Sequence, residues 1–114
     1  MTKEEIVNGN KLIAKFMGWV IDDSFPDKGM VYRSPKGNIE LDTTFKYDKD
    51  WNWLMPVVEK IEKENGVKMF LHPVGCEIYV FGKEISNNNS DTKIKATWLS
   101  VVEFIKWYNE QNNK

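Results

Sequence analysis

The stretch Val67-Lys68-Met69-Phe70-Leu71-His72-Pro73-Val74-Gly75-Cys76-Glu77-Ile78-Tyr79-Val80-Phe81-Gly82 decides the fold class. Two runs of apolar, β-branched and aromatic residues flank Pro73-Val74-Gly75, whose proline and glycine mark a tight turn, so the stretch reads as an antiparallel hairpin. Strand side chains alternate, which places Cys76, Ile78 and Val80 on one face of the return strand and Tyr79 and Phe81 on the other. Both faces carry apolar groups, and such a strand is expected to be covered on both sides.

Upstream, Leu54, Val57, Val58 and Ile61 recur at helical spacing after Asp48-Lys49-Asp50, and Asn65-Gly66 ends the pattern, which predicts a middle helix. Pro56 conflicts with a cap at Asp50, because it falls beyond the amides that lack helical partners. The first turn is then irregular, or the helix begins nearer Trp53. Earlier still, Met30-Val31-Tyr32-Arg33 and Ile39-Glu40-Leu41-Asp42 flank Ser34-Pro35-Lys36-Gly37-Asn38 as a first hairpin. Residues 19–28 read as a loop containing Asp22-Asp23-Ser24 and Pro26-Asp27. Residues 3–17 read as an amphipathic helix through Ile6, Ile13, Phe16 and Met17, closed by Gly18.

Downstream, Asn87-Asn88-Asn89-Ser90 reads as a polar loop. A last helix, capped by Asp91 or Thr92, is expected to run to about Asn109 before the terminal residues fray. Its residues Ile94, Trp98, Val101, Val102, Phe104, Ile105 and Tyr108 share an arc of roughly 160°, wide enough to lie centrally on a sheet. The predicted architecture is α+β in the order α-ββ-α-ββ-α, a four-stranded antiparallel sheet with helices on both faces, an α/β/α sandwich, in one domain over residues 1–114.

The chain of 114 residues carries 16 Lys and Arg against 17 Asp and Glu, a net charge of −1, with 41% hydrophobic and 13% aromatic residues. That balance argues against a disordered tail or a strongly basic nucleic-acid binder. No run approaches the roughly 18 apolar residues of a membrane span, and Met1-Thr2-Lys3-Glu4-Glu5 lacks a signal sequence, so no membrane and a cytoplasmic location are expected. A single cysteine fits a reducing compartment.

Few residues suggest chemistry. His72 and Cys76 are the only soft ligands, too few for structural zinc, so no metal and no cofactor are expected. On a tight hairpin the two could face each other as base and nucleophile, but no third group is seen to orient the imidazole. Asp22, Asp23, Asp27, Asp48 and Asp50 could converge on a cation, although aspartates in loops more often form turns and caps. The glycines are scattered singly, without a phosphate-binding pattern. A small enzyme would have to use Asp48, Asp50 and His72.

Three segments carry a resemblance: Asn10-Lys11-Leu12-Ile13-Ala14-Lys15-Phe16-Met17-Gly18, Trp51-Asn52-Trp53-Leu54-Met55-Pro56-Val57-Val58-Glu59-Lys60-Ile61, and Ala96-Thr97-Trp98-Leu99-Ser100-Val101-Val102-Glu103-Phe104-Ile105-Lys106-Trp107-Tyr108-Asn109. Together they resemble the phage ABA sandwich domain family, small proteins of phages, prophages and gut Bacteroides-type bacteria. The resemblance implies a leading helix ending in Met-Gly, a middle helix and a closing helix around a small sheet, and it brings no activity or catalytic motif. Asp48-Lys49-Asp50 stands where the family usually has a serine-rich run, and Trp98 and Phe104 stand where small residues are common.

An accessory domain that binds another protein, or itself, is the leading expectation. Trp107 falls about 220° from Ile94, so with Leu99 and Glu103 it belongs to the outer side of the last helix, where tryptophan often anchors an interface. Folding of Trp107 back onto its own chain is the plainer alternative. Trp51 and Trp53 lie two residues apart and cannot share one helical face, so at least one of them is expected to be exposed. The alternative function is a nucleic-acid module, in which Lys93 and Lys95 grip phosphates at a helix start as in a double-stranded RNA-binding domain. Arg33 is the sole arginine, and nucleic acid is the less expected partner.

Overall fold

The computed structural model describes residues 1–25, 27 and 30–112. Pro26, Lys28 and Gly29 of the expected loop, and Asn113 and Lys114 of the expected frayed end, lie outside the described residues. The chain forms two compact units, Met1–Lys46 and Tyr47–Lys114.

In the first unit, helix α1 (Lys3–Phe16) starts at Thr2, whose hydroxyl accepts the Glu5 amide at 3.1 Å. Three strands follow, β1 (Val20–Ile21), β2 (Val31–Arg33) and β3 (Ile39–Leu41), paired antiparallel in the order β1-β2-β3. The β2–β3 hairpin is the one expected. Strand β1 occupies residues read as loop. Its pairing depends on contacts remote in sequence, because Trp19 and Tyr32 both meet Phe45 edge-on, at 5.1 and 5.4 Å between ring centres. Asp22 continues the pairing, donating its amide to the Val31 carbonyl at 2.8 Å and holding Arg33 with its carboxylate at 2.5 Å.

The second unit begins with helix α2 (Trp51–Glu62), capped by Asp50, whose carboxylate accepts the Asn52 amide at 2.8 Å. The helix starts at Trp51, and Pro56 lies inside it. Its first turn is tightened, since the amides of Trp53 and Leu54 both donate to the Asp50 carbonyl, at 3.0 and 3.1 Å. The carbonyl that Pro56 leaves without an amide, that of Asn52, belongs to an exposed residue that water can reach. Leu54, Val57, Val58 and Ile61 form the buried face, as the spacing predicts.

Strands β4 (Val67–Leu71), β5 (Gly75–Val80) and β6 (Lys83–Asn89) then make a second antiparallel sheet, ordered β4-β5-β6. Helix α3 (Lys93–Asn112) lies across β5 and β6, and α2 packs against both α3 and β4. Of the predicted α3 arc, Trp98, Val101, Val102, Phe104 and Ile105 are buried, joined by Ala96, Thr97 and Ser100. The helix runs past Asn109, and Thr92 caps it by accepting the Lys95 amide at 3.2 Å.

The α+β class holds, but the single four-stranded sheet with helices on both faces does not: there are two separate three-stranded sheets. Each hairpin takes its third strand from the adjacent sequence, where a short connection closes at the smallest entropic cost. Strand β6 contains Asn87, Asn88 and Asn89 of the run expected to be a polar loop. Its inward polar groups are satisfied by one helical serine. Ser100 Oγ donates to the Cys76 carbonyl at 2.7 Å and accepts Asn88 Nδ2 at 3.1 Å, while Ser86 Oγ donates to the Ser100 carbonyl at 3.2 Å. A small residue on α3 lets helix and strands approach closely, and the hydrogen bonds replace the apolar pattern by which a buried strand is usually recognised. No helix among the described residues is long and apolar enough to cross a membrane.

Candidate interaction face

The pairing of β4 with β5 sets Met69 against Ile78 and Leu71 against Cys76 on the inner face, under the helices. It sets Lys68 against Tyr79 and Phe70 against Glu77 on the outer face, to which β6 adds Glu84 opposite Tyr79 and Asn87 opposite Glu77. Helix α3 packs on the inner side of β5, and on the outer side Glu77 and Tyr79 are half-buried. Phe70 and Phe81 are 48% and 73% exposed, and a groove of about 640 Å³ runs along this face between Phe70, His72, Tyr79 and Phe81.

Three polar groups stiffen its floor. His72 Nε2 lies 2.5 Å from Glu77 Oε2, and the Tyr79 hydroxyl donates to Glu77 Oε1 at 2.6 Å. The Tyr79 hydrogen bond, and then that of His72, hold the Glu77 carboxyl below its ordinary range. The same bond to Glu77, with burial and the field of Glu84, pushes Tyr79 up to about 12. At neutral pH Glu77 is an ionised acceptor and Tyr79 a neutral donor, each matched to the other. The group that orients His72 is thus Glu77, five residues on. Cys76, however, points to the opposite face, fully buried, and burial pushes its thiol up to about 11. The imidazole and the thiol do not meet, and no base and nucleophile pair forms.

The β5–β6 turn is the unusual element. Val80 pairs with Lys83 across a two-residue loop, and both loop residues are left-handed, Phe81 at φ 49° and Gly82 at φ 80°. Turns of this shape favour Asn-Gly or Asp-Gly, because Cβ crowds the following carbonyl oxygen there, a cost that glycine avoids and that the short polar side chains of Asn and Asp offset by local hydrogen bonds. The Phe81 amide donates to the Gly66 carbonyl at 2.8 Å, and its ring lies so close over Gly66 that a Cβ at that position would stand 2.6 Å from two ring carbons. Phe70 meets Tyr79 edge-on at 5.8 Å, so neighbouring rings form a corner.

The residues singled out from sequence are spread elsewhere. Trp107 is half-buried against Phe104, ring centres 5.8 Å apart, while Leu99 is half-buried and Glu103 exposed. Trp51 and Trp53 are both half-buried, and Trp53 stands edge-on to Tyr47 at 5.2 Å. Lys93 is exposed, whereas Lys95 Nζ lies 3.5 Å from Asp91, which offsets its charge. Asp50 is a helix cap and Asp22 holds Arg33. Among the described residues no three of His, Cys, Asp and Glu gather as a metal site. Tyr79 and Phe81 are visible in the alternation of the return strand, whereas Phe70 and Glu77 come to this face through the β4–β5 register, and the turn at Phe81-Gly82 is not visible, since its first residue contradicts turn preference.

In the first unit Phe25, Val31, Ile39, Glu40, Leu41 and Thr44 line a smaller groove of about 320 Å³, without a comparable cluster of aromatic and hydrogen-bonded side chains. Compared with known proteins, the chain matches no family model, no curated protein and no solved structure, and the outer face of β4–β6 is read from its own chemistry.

Proposed function

We propose that this protein is a non-enzymatic interaction module, a cytoplasmic accessory domain of the phage-like kind that its helical segments resemble, and that it binds a protein partner through the outer face of β4–β6. The observation that carries this reading is Phe81, a large aromatic held left-handed and exposed where asparagine or glycine would sit without strain. A residue that departs from local preference at a surface is a mark of function. The His72–Glu77–Tyr79 hydrogen bonds support it further, because a rigid face loses little entropy on binding. The matched Glu77 and Tyr79 and the buried Cys76 supply no group poised for catalysis.

The nucleic-acid alternative is weaker. Glu77 and Glu84 share the aromatic face, Lys95 is paired with Asp91, and the chain is net negative. Selection of peptides from a random library on the immobilised chain, with Phe81→Asn in parallel, tests the proposal. Peptides held by the wild type and lost by the equally folded variant are the expected result. Equal binding to both would remove the face. Sedimentation of wild type and Trp107→Ala over a concentration series addresses self-association, and association lost only in a folded Trp107→Ala would move the surface to Leu99, Glu103 and Trp107 on α3.

A further inference from the structure

We infer that the outer face receives an extended segment of its partner with a lysine or arginine side chain seated over Tyr79, on the Glu84 side. This rests on the interaction reading of the face and names the chemistry of its ligand. Size decides between a folded partner and a segment. Three strands at ~4.8 Å spacing and five residues at ~3.3 Å rise give about 14 by 17 Å, or about 240 Å² of sheet. A stable pair of folded proteins needs about 800 Å² from each side. The outer face by itself is too small to hold a second folded copy of the chain, whereas one extended segment fits along it.

Charge decides what the segment carries. Across the three strands the register runs Lys68, Tyr79, Glu84, positive at the β4 edge and negative at the β6 edge, with Glu77 two residues before Tyr79 on the same face. A cation over the Tyr79 ring, on the Glu84 side, therefore has carboxylates on two sides and is turned away from Lys68, which stands beside Tyr79 on β4. The Tyr79 ring, with Phe70 edge-on beside it, offers the aromatic surface a cation prefers. Glu77 has both oxygens engaged by His72 and Tyr79, each with a lone pair remaining, so it contributes charge without giving up its hydrogen bonds. An acidic or phosphorylated segment would instead meet both carboxylates.

The experiment measures fluorescence anisotropy of short labelled peptides against the full chain. The peptides alternate leucine and serine around a central arginine, norleucine or glutamate. The arginine peptide is expected to bind about tenfold more tightly than the norleucine peptide at low salt. Glu84→Gln, which can keep the Asn87 hydrogen bond at 3.1 Å, should shrink that difference to about threefold, and Phe81→Asn should weaken all peptides alike. An undiminished arginine preference in Glu84→Gln overturns the inference. So does a norleucine or glutamate peptide that binds best yet still needs Phe81, a result that leaves the interaction reading standing. Absence of any Phe81-dependent peptide binding, or Phe81-dependent binding of a short oligothymidylate in its place, overturns both.

Discussion

Replacing Phe81 by asparagine should make the protein more stable while removing its binding. Phe81 sits at φ 49° and is followed by Gly82 at φ 80°, the backbone that an Asn-Gly turn adopts readily. A left-handed residue with a bulky side chain costs roughly 1–2 kcal/mol relative to one that tolerates the conformation. Against this stands the contact of the ring with Gly66. Phe81 is 73% exposed, so about a quarter of its surface is covered. Full burial of a phenylalanine contributes about 1.5–3 kcal/mol, and the covered part is therefore worth about 0.4–0.8 kcal/mol. The difference favours asparagine by about 0.6–1.2 kcal/mol, a rise in Tm of roughly 2–5 °C for a chain of this size. Thermal unfolding followed by circular dichroism, with Phe81→Gly as a second variant, measures it. A Tm lowered by more than about 2 °C in both variants would show that Phe81 serves the fold as a cover for Gly66, and the argument from strain would fail.

Gly66→Ala places a methyl group 2.6 Å from the Phe81 ring at a residue with φ 79°. It should cost about 1–3 kcal/mol in urea unfolding, and a smaller loss in the Phe81→Asn background would identify the steric part. Ser100→Ala removes the donor to Cys76 and the acceptor for Asn88. A loss of about 1–3 kcal/mol is expected, and a urea midpoint equal to that of wild type would refute its role as the joint between α3 and β6. Glu77 has a folded pKa below its ordinary 4.5. Its contribution is therefore complete above that value and lost as pH falls through the lower folded pKa. The acid limb of stability measured by urea midpoints should be shallower in Glu77→Gln, and parallel limbs in the two proteins would contradict this.

Much of the chain was legible because it is specified by near neighbours. The helical spacing from Leu54 to Ile61, a cap in Asp48-Lys49-Asp50 and another at Asp91 or Thr92, and the β2–β3 and β4–β5 hairpins each depend on residues within a turn or two of one another. Pro56 was readable as a conflict, and in the structure the first turn is tightened and Asn52, whose carbonyl lacks the Pro56 amide, is an exposed residue. The alternation of Tyr79 with Ile78 and Val80 likewise announced an apolar second face, for which cover is expected, whereas Phe70 and Phe81 are exposed there.

The sequence by itself thus determined the three helices, two hairpins and the α+β class, all of which follow from local periodicity, capping and turn chemistry. Only the tertiary structure decided that Val20–Ile21 and Lys83–Asn89 are strands, that the sheets are two, and that Phe70 and Phe81 stand exposed on the outer face. Asn88 and Ser86 belong to a buried strand because Ser100, more than ten residues away, completes their hydrogen bonds. Phe81 is left-handed because the β5–β6 register and the Gly66 carbonyl leave its backbone no alternative. Pairing across such separations depends on which partners are brought together in space, and a local pattern holds no record of them.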